Sequence, residues 1–158
     1  AAGIPTHYID SDLNAGTMTV RPAVFFGKGV EIICRLKATG SFIRRYGDYC
    51  SEVQDLDFLV EASLKDDDRG DPMISPDTLE MLGIMSRAEY EEIRTLARKI
   101  TEIIRDDLNS KGLTLYDLKL EFGRIDGKVA LIDEISSGCM RVYKGDKWLH
   151  TVELEKYF

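Results

Sequence analysis

Two strand-like runs joined by a short turn, within residues 113–135, constrain the fold of this chain more than any other feature. Across residues 114–122, apolar and charged residues alternate with a period of two, which is typical of a half-buried β-strand. Asp126 and Gly127 form a turn signal, and residues 129–135 are rich in β-forming side chains. The segment therefore predicts an antiparallel hairpin.

Two registers of this hairpin are compatible with the sequence, and they differ in where the acidic side chains point. A two-residue type I′ loop at Asp126 and Gly127 would place Glu121 opposite Ile132. It would also bring Asp133 onto the apolar face of the hairpin, where a carboxylate without a partner is costly to bury.

A three-residue loop with Gly127 in the left-handed region gives the other register. It pairs Arg124 with Lys128 and Lys119 with Asp133. We favour this register, because a slip of one residue moves every side chain to the opposite face. It places four charged side chains on one polar face: Asp117, Lys119, Glu121 and Asp133.

The polar face of the favoured register is a candidate metal site. Glu121 and Asp133 would be diagonal neighbours, and two carboxylates at such a distance repel by about 3 kcal/mol, which Lys119 offsets only in part. A divalent cation would remove this repulsion, and oxygen ligands favour Mg²⁺, which is commonly shared with phosphate groups. The alternative is an ordinary solvated strand face.

Composition limits the classes of function. With 158 residues, 44% hydrophobic and 31% charged, the chain can bury the core of one domain. Its net charge of −7 disfavours nucleic-acid binding, and its three isolated cysteines disfavour a zinc site. No apolar run is long enough for a membrane span. We expect a cytoplasmic protein without membrane or nucleic-acid partners, and the sequence is compatible with a homo-oligomer.

The remaining pattern predicts an α+β fold, an antiparallel sheet packed by helices. Strands are expected near residues 8–9, 17–24, 30–34 and 55–64. Ser75 and Pro76 predict the start of a short helix. Ser86 and Glu89 form a capping box for a long helix that ends near Gly112. Its apolar stripe consists of Tyr90, Ile93, Ala97, Ile100, Ile104 and Leu108.

The hairpin carries motifs that resemble those of SAICAR synthetases. These motifs are DLKLEFG, a following DG turn, a DEIS segment, and an arginine, Arg141, five residues after the serine, Ser136. The resemblance implies the larger lobe of a fold related to protein kinases and ATP-grasp enzymes. It also implies a ligase of purine biosynthesis, which uses ATP and Mg²⁺ to join L-aspartate to the carboxylate of CAIR.

The resemblance also implies roles for individual residues. Glu121 and Asp133 would hold the Mg²⁺ of the nucleotide, and Asp117 and Lys119 would act on the CAIR side. Arg35 precedes Ser41 by six residues, as in the family segment that contacts the ribose phosphate of CAIR. Arg141 would also bind substrate, as would Lys65 and Asp71 of the LKDD…DPMI segment.

The chain departs from the family pattern in four places, one of which is Leu36, where the family commonly has an asparagine. It contains no GxGxxG or GxxxxGK[ST] motif, SSGCMR replaces the usual SPD-containing sequence, and residues 142–158 lack the usual arginines and a closing helix. We expect residues 1–29 to lead from an N-terminal lobe outside this chain and residues 30–158 to bind substrate and Mg²⁺. We also expect the chain alone to be incomplete as an enzyme. Two alternatives are a kinase-like phosphotransferase acting on a small molecule and an inactive fragment or binding module.

Overall fold

A computed structural model describes residues 2–158, which form strands and helices in an α+β arrangement. The strands are β1 (Tyr8–Asp12), β2 (Thr17–Val20), β3 (Val24–Phe25), β4 (Val30–Lys37), β5 (Asp55–Leu64), β6 (Thr114–Ile125), β7 (Lys128–Ile132), β8 (Met140–Lys144) and β9 (Lys147–Leu149). The helices are α1 (Ser41–Tyr46), α2 (Pro76–Met81), α3 (Arg87–Ser110) and α4 (Thr151–Leu154). The expected α+β class is confirmed.

The strands form a small sheet and a large one. β1 and β2 pair with each other in an antiparallel hairpin. The large sheet has the strand order β5-β4-β6-β8-β9, and β3 and β7 also pair with β6. All four pairings β3–β6, β6–β7, β6–β8 and β8–β9 are antiparallel. β6 therefore has more strand partners than any other described strand.

Two compact units alternate along the chain. The first comprises residues up to Ile32, Ala62–Leu96 and Leu120–Glu134. The second comprises Ile33–Glu61, Ala97–Lys119 and Ile135–Phe158. The expected division near residue 29 stays a prediction. No helix among residues 2–158 is both long and apolar enough to span a membrane.

β6 is buried along both of its faces, so the expectation of a half-buried strand was wrong. Both the apolar Leu118 and the acidic Asp117 are buried, as is Glu121. The burial pattern shows that both faces of β6 are covered, because strand partners along its edges alone would leave a face in contact with water. Sequence alternation did not predict the burial of the polar face.

The observed register of the β6–β7 hairpin is the one that we did not favour. Ile125 pairs with Lys128, and Glu121 pairs with Ile132. Asp126 and Gly127 both have positive φ, 51° and 76°, as a type I′ turn requires. The expected pairs Arg124 with Lys128 and Lys119 with Asp133 do not form.

The position of Asp133, just after the end of β7, makes the observed register possible. In that register the residue would lie on the apolar face if the strand continued, but β7 ends one residue earlier, at Ile132. Asp133 has a φ of 64°, and its side chain is exposed. The chain thus leaves the sheet before a carboxylate has to be buried. Glu121, by contrast, was expected on an exposed face and is buried.

The long helix confirms the capping prediction. The Glu89 carboxylate accepts hydrogen bonds from the backbone N–H and the hydroxyl of Ser86, 2.9 and 2.8 Å long. Glu89 also accepts two bonds from the Arg124 guanidinium, which lowers the pKa of this carboxyl to about 2. Gly112 follows the helix with a φ of 70°. The cap therefore attaches the start of α3 to β6.

Two smaller expectations need correction. The strand expected across residues 17–24 is interrupted at Arg21 and Pro22, because proline cannot donate a ladder hydrogen bond. The tail does contain a short closing helix, α4, followed by a 3₁₀ turn over Glu155–Tyr157. The strand expected over residues 55–64 and the helix starting at Pro76 are confirmed.

The type I′ turn makes a testable prediction at Asp126. Asp126→Val should lower the free energy of unfolding by about 1–2 kcal/mol, because a β-branched residue is strained at positive φ. The matched control is Asp146→Val in the β8–β9 turn, where Gly145, not Asp146, has positive φ. Urea denaturation measures both. Equal losses in the two variants would contradict the assigned turn.

Candidate functional site

A buried guanidinium organises a cluster of side chains in the second unit. Arg35 on β4 is only 1% exposed. Its Nε donates to Glu61 Oε2 over 2.5 Å, its Nη1 to Asp117 Oδ2 over 2.9 Å, and its Nη2 to Ser41 Oγ over 3.0 Å. Arg35 thus connects β5, β6 and the first residue of α1. A guanidinium suits this position because its planar fork can donate in several directions at once.

Arg141 joins the same cluster from β8. It pairs with Asp117 in the sheet register, and its Nη1 donates to Asp117 Oδ2, the same oxygen that accepts from Arg35. Burial raises the pKa of Asp117, and the two guanidinium groups oppose that rise. The Arg141 side chain is about one-third exposed, whereas that of Asp117 is 6% exposed. Arg141 therefore combines a fixed partner with access to solvent.

A cavity of about 370 Å³ adjoins this cluster. Its charged lining consists of Arg35, Lys119, Arg141 and Asp117. The other residues that line it include Ser41, the 3₁₀ turn Ser137–Cys139, and Trp148, Leu149 and His150 from the end of the chain. Three cationic side chains and one carboxylate line the cavity, and Glu61 offsets part of the charge of Arg35, so the remaining positive charge favours an anionic ligand.

Gly40 allows the Arg141 guanidinium to approach the backbone. The residue has a φ of 54°, and a Cβ built on it would lie 2.7 Å from Arg141 Cζ. Such a distance is far below an ordinary contact between carbon atoms. Glycine at this position therefore serves both the turn before α1 and the placement of Arg141.

A second polar cavity, of about 360 Å³, lies in the first unit. Lys65 Nζ donates to Glu121 Oε1 over 2.6 Å, and this bond raises the pKa of the lysine. Glu121 and Asp133 both line the cavity. Its other lining residues include Lys65, His7, Arg21, Phe25 and Ile132. The structure thus places the two carboxylates expected to bind Mg²⁺ on one cavity wall, although in an unexpected register.

The donor set of this second cavity fits Mg²⁺. No group of three or more His, Cys, Asp or Glu side chains within residues 2–158 is arranged to hold a metal ion. Mg²⁺ is commonly held by one or two carboxylates, with water and phosphate oxygens completing the shell. Glu121 and Asp133 supply that number. His7 Nε2, in the same lining, is buried and has no hydrogen-bond partner among the described residues.

Asp71, unlike the other expected site residues, lines neither of the two cavities. Its carboxylate accepts the backbone N–H of Asp66 over 2.9 Å, and its own φ is 49°. It therefore stabilises the acidic loop that follows Lys65. Its role at the rim of an active site stays a prediction.

Glu61 is a member of the Arg35 cluster that sequence reasoning missed. Its side chain is only 10% exposed, and it accepts from Arg45 as well as Arg35. A single acidic residue between Val60 and Ala62, in a mostly apolar strand, was the available signal. A carboxylate in such a place needs a cationic partner, and Arg35 is that partner.

The contact between Gly40 and Arg141 makes a testable prediction. Gly40→Ala should reduce the free energy of unfolding by about 1 kcal/mol more than Gly70→Ala, because the added methyl group displaces the guanidinium from its bond to Asp117. Gly70 is the matched control, since its φ is 68° and a Cβ there meets no atom within 4 Å. The excess should disappear when both substitutions are measured in an Arg141→Ala background. An excess that persists there would exclude the proposed contact as its cause.

Comparisons with known proteins agree with the motifs and the fold. The SAICAR synthetase family profile matches residues 1–157. The phosphoribosylaminoimidazole-succinocarboxamide synthase of Clostridium tetani is 56% identical over 155 residues, which are 97% of this chain and 68% of that protein. The enzyme of the same name from Thermotoga maritima is 41% identical over 144 residues, which are 90% of this chain and 60% of that protein.

Solved structures show the same relationship. A SAICAR synthetase determined in complex with ADP superposes with a TM-score of 0.84 at 31% sequence identity. The match covers 97% of this chain and 65% of that one. The chain thus spans roughly two-thirds of the length of these relatives. On the family profile, the identities and the fold together, the chain belongs to the SAICAR synthetase family.

Proposed function

We propose that this chain supplies the substrate- and magnesium-binding part of an enzyme that joins L-aspartate to the carboxylate of CAIR at the expense of ATP. The observation that carries the proposal is the convergence of Arg35, Asp117, Lys119 and Arg141 on one cavity. These four residues come from three strands, and each belongs to a segment that resembles the family. The relative solved with ADP supports nucleotide use by the family.

The cationic lining of the second unit's cavity suits CAIR, which carries both a phosphate and a carboxylate. Arg141 is the more accessible of the two arginines, so we assign it the direct contact with an anionic group. Arg35 is bound to three protein partners, and we assign it to hold Asp117 and Ser41 in place at the cavity wall. Ser41 at the start of α1 can donate its hydroxyl to a phosphate oxygen.

Asp117 and Lys119 are the residues we assign to the reaction itself. Lys119 lines the cavity and would stabilise the negative charge of the acceptor carboxylate. Burial raises the pKa of Asp117, which makes the carboxylate a better proton acceptor for the ammonium group of L-aspartate. The two arginines keep this carboxylate oriented while it accepts the proton.

The first unit's cavity suits the nucleotide. Glu121 and Asp133 would hold Mg²⁺, which when bound supplies positive charge next to the phosphate groups. Lys65, whose pKa is raised by Glu121, remains protonated and adds a further positive charge to the same wall. Asp71 would support this role indirectly, because it shapes the loop that begins after Lys65.

The proposed reaction has two steps. A carboxylate oxygen of CAIR attacks the γ-phosphorus of ATP, the bond to the β–γ bridging oxygen breaks, and ADP leaves. The product is an acyl phosphate. The deprotonated amine of L-aspartate then attacks the acyl carbon, the carbon–oxygen bond to the phosphoryl group breaks, and inorganic phosphate departs. The amide that forms is SAICAR.

An isotope experiment tests this reaction. The chain is fused to the remaining segments of the Clostridium tetani relative and supplied with MgATP, L-aspartate and CAIR labelled with ¹⁸O in its carboxylate. We expect the inorganic phosphate to gain one ¹⁸O atom per SAICAR formed, as measured by mass spectrometry. Phosphate without label would contradict the acyl phosphate, and phosphorylated CAIR as the end product would favour a kinase. A folded fusion without turnover would favour a binding module.

Two variants of the same fusion test the assignment of magnesium. Glu121→Gln and Asp133→Asn should each weaken the binding of MgATP by about tenfold or more, because one of two carboxylate ligands is lost. Asp126→Asn, at the exposed tip of the same hairpin, is the control and should bind normally. Calorimetric titration measures all three. Normal binding by both site variants would remove these residues from the metal site.

A further inference from the structure

The end of the chain contributes an aromatic pair to the cavity of the second unit. Trp148 on β9 and His150, which follows it, both line the cavity that Arg35, Asp117 and Arg141 border. Their ring centroids lie 4.4 Å apart, and the ring planes are inclined by 43°. Trp148 is 43% exposed, so its indole is accessible to a ligand in the cavity.

Strand register brings Trp148 to the same face as the charged cluster. In antiparallel sheets, paired residues share a face, and residues two apart along a strand also share it. Asp117 pairs with Arg141, and Tyr143 pairs with Trp148. Arg141 and Tyr143 are two apart on β8. The four side chains therefore lie on one face of the sheet, with Trp148 on its terminal strand.

Neighbouring contacts hold this hairpin in place. The Tyr143 ring stacks on Tyr116, with centroids 3.8 Å apart and planes inclined by 14°. Lys147 forms an ion pair with Glu153, and the backbone N–H of His150 donates to the same carboxylate over 3.3 Å. The residues on both sides of Trp148 are thus tied down, so its indole is presented by a fixed backbone.

We propose that the Trp148 indole forms the wall on which the flat heteroaromatic ring of the ligand stacks, with His150 in contact with the indole. The inference rests on the proposed function and adds the residue that recognises the ring of CAIR. The cationic side chains of the cavity account for the anionic groups of such a ligand, but they offer no flat apolar surface for its ring. Aromatic side chains bind heteroaromatic rings through stacking.

The chain provides its own probe for this proposal, because Trp148 is its one tryptophan. Titration with CAIR should change the tryptophan emission, and so should titration with the dephosphorylated nucleoside, since both carry the ring. Inorganic phosphate should leave the emission almost unchanged. Emission that does not respond to CAIR, in a sample where calorimetry shows CAIR to be bound, would overturn the proposal.

Substitution gives the second readout. Trp148→Leu should weaken CAIR binding about tenfold in calorimetry, whereas Trp148→Phe should stay within about threefold of the unsubstituted chain. Tyr49→Leu is the control, because Tyr49 is 89% exposed and does not line the cavity. Equal affinity of Trp148→Leu and the unsubstituted chain would overturn the proposal. If Trp148→Leu does not fold, the emission titration decides.

The experiment separates this inference from the proposed function. Binding of CAIR to the unsubstituted chain, with normal affinity in Trp148→Leu and no change of emission, refutes only the stacking wall. No binding of CAIR to the unsubstituted, folded chain refutes the proposed substrate and the stacking wall together. Binding that is weakened in Trp148→Leu and retained in Trp148→Phe supports both.

Discussion

The buried Arg35 guanidinium is the interaction on which the second unit's cavity depends. It is almost fully removed from solvent, and its bonds to Glu61, Asp117 and Ser41 join two strands and a helix start. Breaking a buried ion pair by removing one partner commonly costs about 3–5 kcal/mol, because the other charge is left without compensation. The cluster is therefore costly to break, and it fixes the Asp117 carboxylate that orients Arg141.

Local sequence signals predicted the elements of the fold well and the register of its central hairpin poorly. The bounds of β5 and the capping of α3 by Ser86 and Glu89 follow from periodicity and capping rules that act over a few residues. The register depended on where Asp133 would go if β7 continued. The strand ends at Ile132, and a strand end is a tertiary outcome that alternation alone does not encode.

Site residues that lie in family motifs could be predicted from the sequence. Residues that reach the site only through packing could not. Asp117, Glu121 and Arg141 were identified through the resemblance, yet the burial of Asp117 and Glu121 was not expected. The bonds from Arg35 to Glu61 and from Lys65 to Glu121 join residues 26 and 56 positions apart. Trp148 lies at the cavity because β9 pairs with β8, and both strands lie in segments that depart from the family pattern.

We propose that the cavity beside Arg35, Asp117 and Arg141 binds the anionic groups of CAIR. The most direct measurement is a calorimetric comparison of CAIR with its dephosphorylated nucleoside, in the unsubstituted chain and in Arg141→Gln. Arg141 is the partly exposed member, so its loss should leave the fold intact. We expect Arg141→Gln to weaken the binding of CAIR by at least about tenfold and the binding of the nucleoside far less. Equal losses for both ligands, or no loss for either, would contradict the proposal.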